Sequence, residues 1–105
     1  MKEEIIHRRG DLVIRRGILE PGDATAWHTD PCRRFTVVVR GDALAIEYRD
    51  GRATERFAVA PGEADWDAPT DAVHRAVNVG SETFEEVVLF FLDEPGQDHQ
   101  PAVPD

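Results

Sequence analysis

Two short stretches of this chain bring together residue types that hold metals or move protons. The first, Gly22-Asp-Ala-Thr-Ala-Trp-His28-Thr-Asp30, leads on to Arg34, Phe35 and Gly41. The second is Pro69-Thr-Asp71-Ala-Val-His74-Arg-Ala-Val-Asn78. In an extended strand residues two apart share a face, so His28 and Asp30 point the same way with Ala24 and Ala26 below them, while Trp27 points opposite. By the same rule His74 shares a face with Ala76 and Asn78. Alanine as the same-face neighbour of each histidine leaves space that a packed core would fill. Two imidazoles and a carboxylate around such a space make a three-donor set with open positions, which suits non-haem iron and also zinc or manganese. The bland reading of one histidine is a hydrogen-bonded residue at the mouth of the fold; two that converge weigh against it.

Other candidates have plainer readings. Asn78 is expected to satisfy backbone groups rather than a ligand. His7 and His99 are expected at the surface. Trp27, Trp66 and Phe84 read as core or subunit-contact residues. Cys32 lies between Asp30 and Arg34, where nearby arginines would favour its thiolate, against the alternative of a loop cysteine without a role. There is no Ser/His/Asp order, phosphate-cradling glycine loop or paired-cysteine zinc motif.

The elements that must position these residues are short strands. Turn signals at Glu20-Pro-Gly-Asp23, Arg40-Gly-Asp42, Asp50-Gly51, Pro61-Gly62 and Gly80-Ser81 recur every eight to twelve residues, the spacing of a sandwich or barrel. Strands are expected at Leu12–Leu19, Ala24–His28, Phe35–Arg40, Leu44–Tyr48, Ala53–Val59, Glu63–Ala68, His74–Val79 and Phe84–Asp93. Asp50-Gly51 marks the sharpest hairpin, because both residues tolerate a positive φ. No stretch keeps a 3.6-residue period, so helix is expected to be nearly absent. One domain is expected over residues 1–93. From Glu94 three prolines and few apolar groups predict a loose tail over 94–105.

With strands and motifs in place, the chain resembles the cupin superfamily. Gly22, His28 and Gly41 match the first cupin motif, and Pro69, His74 and Asn78 match the second. The resemblance spans roughly Leu12 to Asp93. It implies an all-β double-stranded β-helix, a jelly-roll barrel with the site at its centre. In metal-binding cupins three histidines and a glutamate hold the ion; here Asp30 stands for the second histidine and Asp71 for the motif glycine. The glutamate position falls on Arg34 by glycine spacing or on Phe35 by apolar alternation with Val37 and Val39. A shift of one residue flips every side chain. The alternation favours Phe35 inward; Arg34 inward would favour a carboxylate substrate.

Twenty-one acidic against twelve basic side chains give a net charge of -9, a field that repels nucleic acid and anionic lipid. The longest apolar run, Val87–Leu92, is far short of the roughly twenty residues that cross a bilayer, so no membrane partner is expected. A single cysteine and an N-terminus without a signal-peptide core suit a cytoplasmic protein. The expected function is a small stand-alone cupin-like protein, a metal-dependent dioxygenase, lyase or isomerase acting on a small molecule inside the barrel. His28, His74 and Asp30 would hold iron, zinc, manganese or nickel, and Arg34, Phe35, Tyr48 and Cys32 would contact substrate. The alternative is a metal-free barrel that binds or senses a small ligand without turnover. Val87–Leu92 is apolar on both faces, which predicts a homodimer through the outer sheet face.

Overall fold

The computed structural model describes residues 1–105 and contains nine strands and no helix. The strands are β1 (Lys2–Arg9), β2 (Leu12–Leu19), β3 (His28–Asp30), β4 (Arg33–Arg40), β5 (Ala43–Tyr48), β6 (Glu55–Ala58), β7 (Ala64–Asp67), β8 (Thr70–Asn78) and β9 (Phe84–Phe91). They form two antiparallel sheets, ordered β1-β2-β9-β4-β7 and β3-β8-β5-β6. Both features agree with the sandwich or barrel expected from the turn spacing and with the jelly roll that the cupin resemblance implies. Only β1 has no counterpart among the expected strands. It carries charged residues at five of its eight positions, is exposed along its whole length, and contains a bulge between Ile5 and His7.

Alternation explains why β2 and β9 lie at the centre of the larger sheet. In β2 the odd residues Val13, Arg15, Gly17 and Leu19 are buried; in β9 Phe84, Val88 and Phe90 are buried and Glu86 shares their parity. The apolar members gather in two clusters. One joins Val13, Cys32, Val88, Phe90 and Leu92; the other joins Leu19, Val38, Leu44 and Phe84. Each buried Val, Leu or Phe contributes roughly 1.5–3 kcal/mol. Arg15 and Glu86 fall between the clusters along their strands, so the interior is apolar towards its ends and charged in the middle.

Turn chemistry holds the register. Asn78 donates through its side-chain amide to the carbonyls of Leu19 and Glu82 at 2.9 and 2.8 Å and accepts from the Gly80 amide at 2.9 Å. It therefore ties β2 to the β8–β9 turn, the backbone role expected of it. Asp42 accepts from the Ser81 amide and hydroxyl and from the Glu82 amide, and the Ser81 bond leads in holding its carboxyl below the usual range. A Cβ at Gly80 would stand 1.9 Å from the Asp42 Oδ1, so any side chain there would push Asp42 off these bonds.

The C-terminal segment, expected as a loose tail, lies against the barrel. Ala102 bridges to His28, the Val103 amide donates to the Trp27 carbonyl at 2.8 Å, and the Thr29 amide donates to the Pro101 carbonyl at 3.2 Å. Residues 101–103 thus cover the free edge of β3, satisfying backbone groups that an edge strand leaves open. No helix is long and apolar enough to cross a membrane.

Candidate metal centre in the barrel

Antiparallel pairing of β3 with β8 sets His28 directly opposite His74, with their ring centroids 4.5 Å apart. Asp30 follows two residues after His28 and so faces the same interior, as the two-residue period requires. All three side chains are buried, and one ligating atom from each lies within 4.8 Å of the others. The structure therefore assembles the trio that the sequence singled out.

Backbone carbonyls orient both rings. The Nδ1 of His28 lies 2.7 Å from the Ala26 carbonyl, and that of His74 lies 2.8 Å from the Ala72 carbonyl. A carbonyl only accepts, so each Nδ1 carries a proton and donates it. Each Nε2 is turned to the centre. This is the outer support that metal-bound histidines commonly have. The His74 Nε2 donates to Asp30 Oδ2 at 2.7 Å, and the His28 Nε2 lies 3.5 Å from the same oxygen. The Asp30 bond raises the His74 pKa against the opposing effect of burial. Burial alone would raise the Asp30 carboxyl, but bonds to His28 and His74, the Arg34 charge and a bond from Gln100 together hold it well below the usual carboxylate range.

The donor set fits a divalent ion. Nitrogen and oxygen ligands about 2.0–2.2 Å from a tetrahedral zinc stand roughly 3.4 Å from one another. The His28–Asp30 contact already has that spacing, and the His74–Asp30 contact is shorter because a proton bridges it. Two histidines and one carboxylate leave open positions, the arrangement of non-haem iron sites and also of sites for zinc, manganese or nickel.

Around the trio lies a cavity of about 470 Å³. Its charged wall includes Arg15, Arg34, Asp67 and Glu86, and its apolar wall includes Leu44, Ile46, Phe57 and Val59. Tyr48 lines it, donates its hydroxyl to Glu55, and has a raised pKa chiefly through that bond. Arg34 also lines it. One of its nitrogens donates to the Cys32 carbonyl at 3.5 Å and stands 3.7 Å from Asp30.

Two expected contacts are corrected. Phe35 does not face the cavity: it packs on the outer surface, with its ring 5.0 Å from that of Trp66, and the inward residue is Arg34. The valines at 37 and 39 that suggested otherwise lie on an outer face that is itself apolar, so hydrophobicity did not mark the inside. Cys32 is fully buried in the apolar cluster with Phe90 and does not line the cavity; burial pushes its thiol pKa up instead of down. His99, expected at the surface, is half-buried with its ring 4.6 Å from Phe90.

Three polar residues of the site went unread in the sequence. Arg15 and Glu86 form a buried ion pair across β2 and β9, with their side chains 2 % and 15 % exposed. A charged residue on the buried parity of each strand was the available signal. Gln100, from the C-terminal segment, donates to Asp30 Oδ1 at 2.8 Å and accepts from Arg15. No strand pattern pointed to it.

No family model and no curated protein matches the chain. Solved structures do. A cupin domain from Bordetella pertussis Tohama I superposes with a TM-score of 0.74 at 17 % identity, covering 85 % of this chain and 90 % of the other. A protein with a double-stranded β-helix domain from Klebsiella pneumoniae gives 0.69 at 22 % identity over 99 % and 84 % of the two chains. A recombinant oxalate oxidase in complex with glycolate gives 0.61 at 23 % identity over 82 % of this chain and 44 % of its own. At these identities the likeness shows the fold alone.

Proposed function

We propose, on the premise of the cupin fold that these likenesses show, that this protein is a small metal-dependent enzyme acting on a small organic molecule inside the barrel. The observation that carries the reading is the buried trio, with both histidines offering Nε2 to one point beside Asp30. His28, His74 and Asp30 would hold the ion. A bound divalent metal supplies Lewis acidity and a template for orienting substrate. The chain's own residues do the rest. Arg34, with most of its five donors free of protein partners, would grip an acidic or oxygen-rich group next to the trio. The Tyr48 hydroxyl, on β5 beside His74, would border the same space. The volume is in the range of sites for small ligands. Dioxygenase, lyase and isomerase chemistry are all compatible with such a centre, and a structure-matched oxalate oxidase shows that the fold supports enzymes.

A second reading is favoured by one observation: the His74–Asp30 bond satisfies both groups without an ion. The barrel would then bind or sense a small ligand without turnover. Elemental analysis decides between them. Protein incubated in turn with iron, zinc, manganese and nickel is expected to retain one of them near one equivalent, and the His28→Ala, His74→Ala double variant to retain none. A wild type that holds no ion under any of these conditions sinks the metal-dependent reading.

We also propose a homodimer. Phe35, Leu89, Phe91 and Trp66 share the outer face of the larger sheet, with the Trp66 ring 5.5 Å from Phe91 and Arg33 stacked over both. Trp66 is 59 % exposed, an unusual position for so large an apolar surface. The same patch on a second copy would bury it, with Arg33 stacking on aromatic rings at the rim. Sedimentation is expected to give a dimer that Trp66→Glu converts to monomer; a monomeric wild type at tens of micromolar overturns this.

A further inference from the structure

We infer that the C-terminal segment is a working part of the metal centre, with Gln100 as the positioning residue that holds the Asp30 carboxylate in its ligating orientation. The inference rests on the metal reading above and adds a residue that no motif contains.

A carboxylate that ligates through one oxygen is held in that orientation by whatever bonds the other. Asp30 Oδ2 faces the two histidines, while Oδ1 takes its hydrogen bond from the Gln100 amide nitrogen at 2.8 Å. Asp30 is 3 % exposed, so without that donor Oδ1 would be a buried acceptor lacking its partner. The carboxylate would then turn to share its two oxygens among the histidines and Arg34.

The Gln100 amide has one workable orientation. Arginine only donates, so Arg15 must meet the Gln100 Oε1, and this leaves Nε2 for Asp30, which only accepts. Arg15 is in turn fixed by Glu86. A line of hydrogen bonds therefore runs Glu86–Arg15–Gln100–Asp30, from the ion pair within the barrel to the candidate ligand. Backbone pairing sets the reach of Gln100, because the next three residues are held to β3 and the strand-entry residue Trp27: Pro101 to Thr29, Ala102 to His28, Val103 to Trp27. On the other side the His99 ring rests on Phe90, 4.6 Å between centroids. The segment thus supports His28 through its backbone and Asp30 through one side chain. Removing an outer-shell partner of this kind typically weakens metal binding ten- to hundredfold.

The test uses full-length protein and three variants, Gln100→Ala, Gln100→Glu and, as a control in the same segment, Gln97→Ala. Zn²⁺ and Co²⁺ affinities are measured by competition with a chromophoric chelator, alongside the Co²⁺ visible spectrum and thermal unfolding. Gln100→Ala is expected to weaken both ions ten- to hundredfold and to shift the Co²⁺ bands. Gln100→Glu is expected to weaken them too, because a second carboxylate cannot donate to Asp30 and repels it. Gln97→Ala, whose side chain caps the Asp93 amide, leaves affinity and spectrum unchanged. A Gln100→Ala protein that melts lower yet binds Co²⁺ with wild-type affinity and spectrum shows a merely structural role and overturns the inference. If the wild type binds neither ion, the metal reading fails separately. The positioning claim is then judged by NMR on the ion-free protein. The Gln100 side-chain amide protons should be shifted and slow to exchange, and should revert in Asp30→Ala; signals like those of an exposed glutamine overturn the claim.

Discussion

Replacing Asp30 with asparagine is expected to weaken Zn²⁺ or Co²⁺ binding by at least about a hundredfold, beyond the usual loss for an outer-shell residue. It is also expected to remove a pH dependence from the stability of the ion-free protein. Asparagine keeps the shape and loses the charge, so the substitution isolates electrostatics from packing. In the folded protein the His74 pKa is raised, so its contribution is fully present below the unfolded value near 6.5 and disappears as pH rises through the folded value. The Asp30 pKa is depressed, so its contribution is present above the unfolded value near 3.8 and lost as pH falls. The two windows overlap between about pH 4 and 6.5. Chelator-treated wild type should exceed Asp30→Asn in Tm most within that window, by on the order of 5–10 °C, with the gap narrowing on either side. A gap constant from pH 4 to 9 would show that the pair is not the source. The same bridging proton must leave when an ion enters, so metal affinity falls as the medium becomes acidic.

Arg15→Met is expected to destabilise the protein by about 3–5 kcal/mol, the usual cost of breaking a buried pair from one side. For a domain of this size that lowers Tm by on the order of 15 °C or more. The guanidinium is almost wholly buried and meets Glu86, Gln100 and the Phe90 ring, 5.4 Å from the ring centroid. Once it is gone, Glu86 remains inside the barrel without its counter-charge. Burial already raises the Glu86 pKa against the attraction of Arg15. In the variant only the smaller pull of Arg34 opposes that rise, so Glu86 takes up a proton more readily in the folded state. The folded state then binds more protons than the unfolded one, and the penalty is larger at pH 8 than at pH 5. The double variant Arg15→Met, Glu86→Leu is expected to recover much of the loss, because the Arg15 Nε is buried without an acceptor and the native pair is incompletely satisfied. Chemical denaturation of the two variants checks this. A double variant no more stable than Arg15→Met would show that the arginine acts by packing and not by charge.

The fold was largely legible because its signals are local. Turn residues marked nearly every strand boundary, and Asp50-Gly51 sits where β5 turns to β6, with Gly51 at φ +89°. The trio was legible for the same reason, since a two-residue period fixes the relation of His28 to Asp30. Parity failed where the outer face of a strand is apolar and the cavity face carries polar residues, as in β4 with Arg34 and Thr36. The alternation with Val37 and Val39 gave Phe35 the look of an inward residue, and the arginine beside it proved to face the cavity. Contacts between distant parts of the chain were not legible at all. Gln100 lies within a proline-containing run (Pro95, Pro101, Pro104) with no periodicity, and its value to the site comes only from the edge of β3 that the segment happens to cover.

The burial of the single cysteine has a consequence for handling and for life under oxidants. Cys32 is sealed between Val13, Val88, Phe90 and Leu92, with its thiol held protonated by burial. A thiolate must be both formed and reached before it can be oxidised or joined to another chain. Peroxide or air therefore meets no reactive sulfur while the barrel is closed. A disulfide-linked pair of chains, wherever one is found, records molecules that had first come open.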